Sequence, residues 1–130
     1  MLFKQLVGTN VLGVEGSTQS GRTTRVYAFC SRSTKGAVVV LALNIADTLA
    51  TFTLQSGFKM YPRQEYRLTA PNGDLSSAQV ELNGVVLEAS SSGALPAFNP
   101  VNVDSNIPVT VAATSFSFIV FPEANAQACQ

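Results

Sequence analysis

A chain of 130 residues is long enough for one domain with its own core. Eight basic and eight acidic residues leave the formal net charge at zero, and no run of lysine or arginine could follow a polyanion. Nucleic acid and heparin-type ligands therefore get no electrostatic support. Histidine is absent and cysteine occurs twice. That removes the usual general base, the commonest metal ligand and any four-cysteine zinc site, so no metal and no cofactor is expected.

The apolar share is 46% and the charged share only 12%, where about a quarter charged is usual. This composition fits either a large ordinary core or an extra apolar face that something else covers. The nearest approach to a basic patch is Arg22, Arg25, Arg32 and Lys35, which reads more simply as solvated strand edges and loops. No apolar run reaches the length of a transmembrane segment. Neither a secretory signal nor an Asn-x-Ser/Thr sequon is visible.

In chain order, residues 1–7 read as the last turns of a helix. Leu2, Phe3, Leu6 and Val7 recur at helical spacing and Gly8 is a plausible stop. A helix that starts at Met1 without an N-cap looks like the end of a longer one. From there the pattern is β. Strands are expected at Val11–Glu15, Thr23–Ser31, Ala37–Ile45, Ala50–Leu54, Glu65–Thr69, Gln79–Leu82, Val85–Ala89, Val109–Ala112 and Ser115–Phe121, with Gly, Ser, Asn and Pro between them, as at Gly16-Ser17 and Asn99-Pro100. Many short strands at this spacing predict a sandwich or barrel.

Ala37–Ile45 is apolar on both faces, which predicts a central strand covered on both sides. Ala50–Leu54 alternates, with Ala50, Phe52 and Leu54 inward and Thr51 and Thr53 outward. Asn83-Gly84 supplies the two positive-φ residues of a type I′ hairpin turn. That turn pairs Leu82 with Val85, Glu81 with Val86 and Val80 with Leu87. Val80, Leu82, Val85 and Leu87 then share one face, and Gln79, Glu81, Val86 and Glu88 the other.

Glu81 and Glu88 are the most enzyme-like pair, since two carboxylates can divide the labour of sugar hydrolysis. The hairpin register puts both on its outer face, where carboxylates make poor general acids at neutral pH. The segment Arg63-Gln64-Glu65-Tyr66-Arg67 offers either a carbohydrate or protein contact, or simply a strand with one polar face. Phe116 and Phe118, like Tyr27 and Phe29, read as core rather than as a sugar platform. Cys30 and Cys129 form a bridge that pins the C-terminal tail to a strand, or else remain two unpaired thiols; two cysteines alone decide little.

Several short pieces carry a resemblance when taken in order. They are Leu2-Phe3-Lys4-Gln5-Leu6-Val7-Gly8 with Val11-Leu12, Arg25-Val26-Tyr27-Ala28-Phe29-Cys30, Val40-Leu41-Ala42-Leu43-Asn44, Arg63-Gln64-Glu65-Tyr66-Arg67-Leu68-Thr69, Leu82-Asn83-Gly84, Leu95-Pro96, Ser117-Phe118-Ile119-Val120 and Ala128-Cys129. Through nearly its whole length the chain resembles the C-terminal region of heparanase-like proteins, glycoside hydrolase family 79 of the plant and animal type. The resemblance implies an all-β, antiparallel β-sandwich with a short N-terminal helix remnant. Residues 1–8 would be the end of the last helix of a (β/α)8 barrel, and residues 9–130 a β-sandwich accessory domain.

The resemblance also implies a disulfide between Cys30 and Cys129. It places the catalytic glutamates in the barrel, so no catalytic residue is carried over to this chain. The implied partner is that barrel, and through it acidic glycans, in an extracellular, cell-wall, lysosomal or vacuolar setting. An early segment of such proteins would also contribute to the sandwich, and a chain without it would leave part of a sheet edge or face uncovered. The rival expectations are a free-standing carbohydrate-binding module and a truncated regulatory partner of a full-length relative.

Overall fold

A computed structural model describes residues 1–15, 23–54, 57–58 and 60–130. Expectations that fall on Gly16-Ser17 and on Arg22 lie outside the described residues. Among the described residues a short helix, α1 (Leu2–Leu6), precedes ten strands: β1 (Val7–Leu12), β2 (Thr24–Ser31), β3 (Val38–Asn44), β4 (Ala50–Phe52), β5 (Arg63–Thr69), β6 (Glu81–Leu82), β7 (Val85–Val86), β8 (Val101–Val103), β9 (Val109–Val111) and β10 (Ser115–Phe121). All pairings are antiparallel. The larger sheet runs β1-β2-β3-β10-β5-β6-β7, with β8 also on β5, and β4-β9 form a second, two-stranded sheet. The two sheets face each other in a sandwich-like arrangement.

β3 is central, between β2 and β10, as its two apolar faces require. The cross-strand registers define rows of side chains. Tyr27, Leu41, Phe118 and Tyr66 form one row, and Arg25, Leu43, Phe116 and Leu68 the next. Alternation sends both rows, with Phe29, Val39 and Val120, to one face of the large sheet. The opposite face carries Val26, Val40, Ala42, Ile119 and Phe121, and the β4-β9 sheet closes over it with Val109, Val111, Phe52 and Leu54. Asn44 ties the layers together. Fully buried, it donates through Nδ2 to the carbonyls of Thr48, Val111 and Ala112 at 2.8–3.1 Å, and its Oδ1 accepts from the Ala46 N–H at 3.0 Å.

Three expectations need correction. The helix stops at Leu6, and Gly8 lies inside β1, where a Cβ would come within 2.8 Å of the Cys30 carbonyl oxygen. Glycine is there for close strand approach, and it does not stop a helix. Val101–Val103, missing from the expected strands, is a strand paired with Arg63–Glu65. Tyr27, expected in the core, is 46% exposed, and Phe116 is 37% exposed. Alternation correctly set the face on which they stand, but nothing in the described chain covers that part of it.

Candidate functional site

The cysteines lie at the end of β2 and in a single 3₁₀ turn, Gln127–Cys129. They form a disulfide across 99 residues, and both are buried. Backbone bonds support it from both sides: the Gly36 N–H donates to the Cys129 carbonyl at 2.7 Å, and the Ala126 N–H donates to the Gly36 carbonyl at 2.8 Å. Gly36 takes φ +76°, and a Cβ there would press on Asn125 at 3.2 Å, so glycine suits both the backbone and the tail that packs on it. Beside the bridge lies an open cavity of about 560 Å³ lined by Phe3, Lys4, Gly8, Arg32, Cys129 and Gln130, among others.

The hairpin has the register that its turn dictates. Asn83 and Gly84 have φ of 51° and 79°, Leu82 faces Val85, and the Leu87 N–H donates to the Val80 carbonyl at 2.9 Å. Leu82 and Leu87 pack into the core, whereas Val80 and Val85 stay exposed. Asn83 also bridges the gap between β6 and β8 along β5. Its Oδ1 accepts from the Arg67 N–H at 2.9 Å, and its Nδ2 donates to the carbonyls of Glu65 and Asn99 at 3.1 and 3.0 Å.

Glu81 and Glu88, on the hairpin, each take a separate hydrogen-bond partner. Glu81 accepts from the Thr69 hydroxyl at 3.3 Å, and the exposed Glu88 accepts from the Gln79 amide at 3.2 Å. The buried carboxylate is a different one. Glu65 is 1% exposed and accepts from Arg63 Nε and Arg67 Nε, both at 2.6 Å. Arg63, 2% exposed, also donates to the carbonyls of Asp104, Ile107 and Pro108 at 2.9–3.3 Å, and so clamps the β8–β9 connection onto β5. The polar side of Arg63–Arg67 is thus mostly dry. Glu65 and Arg63 share the one-residue alternation that a wet strand would show, so sequence reasoning could not tell the two apart.

On the other side of β5, burial pushes the Tyr66 phenol above its ordinary pKa, and the buried ring is not offered to a ligand. In the exposed 71–77 turn, hydrogen bonds from the Ser76 hydroxyl and N–H hold the Asp74 carboxyl below the usual carboxylate range. Arg25 and Arg32 lie toward opposite ends of β2, about 20 Å apart at strand rise, and form no common patch. Among the described residues, no three His, Cys, Asp or Glu side chains group as metal ligands. No described helix is long and apolar enough to cross a membrane.

What the surface does offer is apolar. Phe3 is 49% exposed, and together with Tyr27 and Phe116 it lies on the outer face of the large sheet. A shallow depression of about 300 Å³ between Leu43, Ile45, Leu75 and Phe116 continues that face. A second apolar opening lies between the sheets, where Phe52, Leu54 and Val109 meet Val26, Val40 and Ile119.

No protein-family model matches the chain. Among curated proteins, it is 31% identical to baicalin-beta-D-glucuronidase of Scutellaria baicalensis, over 94% of this chain and 23% of that protein. It is 30% identical to heparanase-like protein 3 of Arabidopsis thaliana, over 99% of this chain and 28% of that protein. It is 35% identical to hyaluronoglucuronidase of Hirudo nipponia, over 99% and 27%. The chain therefore spans about a quarter of the length of these relatives. Over nearly all of its own length, it is homologous to heparanase-like proteins.

Proposed function

We propose that these 130 residues are the C-terminal β-sandwich of a heparanase-like glycoside hydrolase, without catalytic residues of their own, and that they pack on a catalytic (β/α)8 barrel. The observation that carries this reading is the unequal coverage: nearly all of this chain matches, against about a quarter of relatives named as glucuronidases. In this reading the helix Leu2–Leu6, within the 1–8 segment whose last two residues already enter β1, is the end of the last barrel helix, and residues 9–130 are the accessory domain. The parent reaction is hydrolysis of β-glucuronidic bonds in acidic glycans. The disulfide, buried and closing 99 residues, supports an oxidising setting such as the cell exterior or a lysosome or vacuole. The opening between the sheets supports addition of a further segment of the parent chain along the two-stranded β4-β9 sheet.

The test is a glucuronide hydrolysis assay with and without the catalytic region of a heparanase-like relative whose matching quarter has been deleted. The chain alone is expected to give no turnover, and co-expression to restore soluble, active enzyme. Turnover by the isolated chain that survives Glu81→Gln and Glu88→Gln would overturn the assignment.

A further inference from the structure

An asparagine is chemically most labile where the next backbone nitrogen can reach its side-chain amide. In Asn10-Val11, Asn44-Ile45, Asn102-Val103 and Asn106-Ile107 a β-branched side chain crowds that nitrogen, and in Asn99-Pro100 the nitrogen carries no proton. Asn125 precedes Ala126, and its Oδ1 accepts from Gln130 Nε2 at 2.6 Å. Asn72-Gly73 and Asn83-Gly84 meet no such obstacle, because glycine brings no side chain.

The two pairs share a backbone conformation and differ in what holds the amide. Asn72 and Gly73 have φ of 53° and 73°, Asn83 and Gly84 of 51° and 79°. The Asn83 amide is tied on both atoms: Oδ1 accepts from the Arg67 N–H at 2.9 Å, and Nδ2 donates to the carbonyls of Glu65 and Asn99 at 3.1 and 3.0 Å. Asn72 and Gly73 are exposed in the 71–73 turn, and among the described residues the Asn72 side chain makes no hydrogen bond. The Gly73 N–H donates to the Ala70 carbonyl at 3.0 Å, one surface bond that a small twist of the turn releases.

We infer that Asn72 is a site of spontaneous covalent modification, and that its hydrogen bonds to β5 and to the β7–β8 connection shield Asn83 from the same reaction. Once the Gly73 N–H gives its proton to solvent base, the nitrogen attacks Cγ of Asn72. A new C–N bond forms, the Cγ–Nδ2 bond breaks, and Nδ2 takes up a proton and leaves as ammonia. Water then opens the resulting succinimide at either ring carbonyl, which yields aspartate or isoaspartate with no change of oxidation state. Asn83 must first surrender three side-chain bonds, so its attack waits on opening of the hairpin. The products also differ in consequence. Aspartate at position 72 loses no bond and adds one negative charge to a chain of formal net charge zero, and isoaspartate lengthens a turn that belongs to no strand. At position 83 a carboxylate would face the Glu65 and Asn99 carbonyls with no proton to offer them. The first covalent change thus falls where no packing depends on it.

The experiment incubates the chain in mildly alkaline buffer, with and without concentrated urea, and then digests it with a glutamate-specific protease. Cleavage after Glu81 separates the two sites, so that mass spectrometry follows each one. In native buffer Asn72 is expected to disappear about tenfold or more faster than Asn83, the factor that one or two hydrogen bonds are worth. In urea the two rates should converge, with Asn83 rising the more. Gly73→Ala, whose added methyl meets no atom within 4 Å, should slow the loss of Asn72 and leave Asn83 unchanged. The comparison in urea needs no variant, so strain from alanine at φ +73° does not decide the outcome. Equal rates in native buffer, faster loss of Asn83, or a difference that persists in full denaturant would overturn the inference. Loss of Asn72 unaffected by Gly73→Ala would also overturn it, because the Gly73 nitrogen would then not be the attacking atom.

Discussion

Asn83 holds the peptide of Arg67 from both sides: its Oδ1 accepts from the Arg67 N–H at 2.9 Å, and its own N–H donates to the Arg67 carbonyl at 2.8 Å. One turn residue thereby closes the hairpin and also fills the edge of β5 that β6 and β8 leave between them. Asn83→Gly keeps the positive φ but removes the side-chain bonds, and should cost about 1–2 kcal/mol in urea unfolding. Asn83→Ala adds left-handed strain of roughly 1 kcal/mol more. Equal stability of the two variants would show that the side chain, and not φ, is what the site demands.

The disulfide should dominate resistance to unfolding. Closing a loop of this length is worth about 4–5 kcal/mol in the chain-entropy model and commonly about 2–5 in practice. Denaturation of the Cys30→Ala, Cys129→Ala double variant is expected to show a loss in that range. Because both cysteines are buried, the bridge in the native protein should react slowly with mild reductant and quickly once denaturant opens the tail.

Arg63 and Glu65 predict an asymmetry. Arg63→Met leaves the buried Glu65 with Arg67 alone and deprives three carbonyls of their donor, a loss of about 3–5 kcal/mol. Glu65→Gln retains an acceptor for Arg63 and should cost less. The Arg63→Met, Glu65→Leu double variant should recover part of the loss of the arginine variant, because an uncharged buried pair needs no compensation. Additivity of the two single effects would show that the groups are not coupled.

Tyr66 sets an alkaline limit. Its folded pKa lies above the ordinary value of about 10, because burial disfavours the phenolate. The folded state therefore holds the proton more tightly than the unfolded chain does. Stability from this source is fully present below about pH 10 and declines as pH rises through the folded value. Tyr66→Phe should flatten the alkaline limb of a stability-against-pH curve and leave the neutral region nearly unchanged.

Some of this architecture could be read from the residues. The double apolar pattern of β3 predicted its central place, Ser115–Phe121 matches β10 residue for residue, and Asn-Gly set the hairpin register. Other features depend on tertiary context. Val101–Val103 is only three residues long and pairs with β5 on a stretch of edge beyond β6, a neighbour that no local pattern announces. Glu65 looks like a solvated residue because charge and alternation say which side it takes, while its burial depends on Arg63 and a distant loop. Tyr27 shows the converse: an aromatic on a strand signals an apolar face, but only the packing reveals that the face lacks a cover.

The cavity beside the disulfide has residues from both ends of the polypeptide in its wall, Lys4 and Gln130 among them. The head and tail of the fold thus sit at one corner. A short peptide joining them should yield a circular chain, and new termini could then be opened in the exposed 90–94 turn without breaking a strand. The same proximity makes the unit easy to splice into a loop of another protein, since a single small gap in the host would accommodate both attachments.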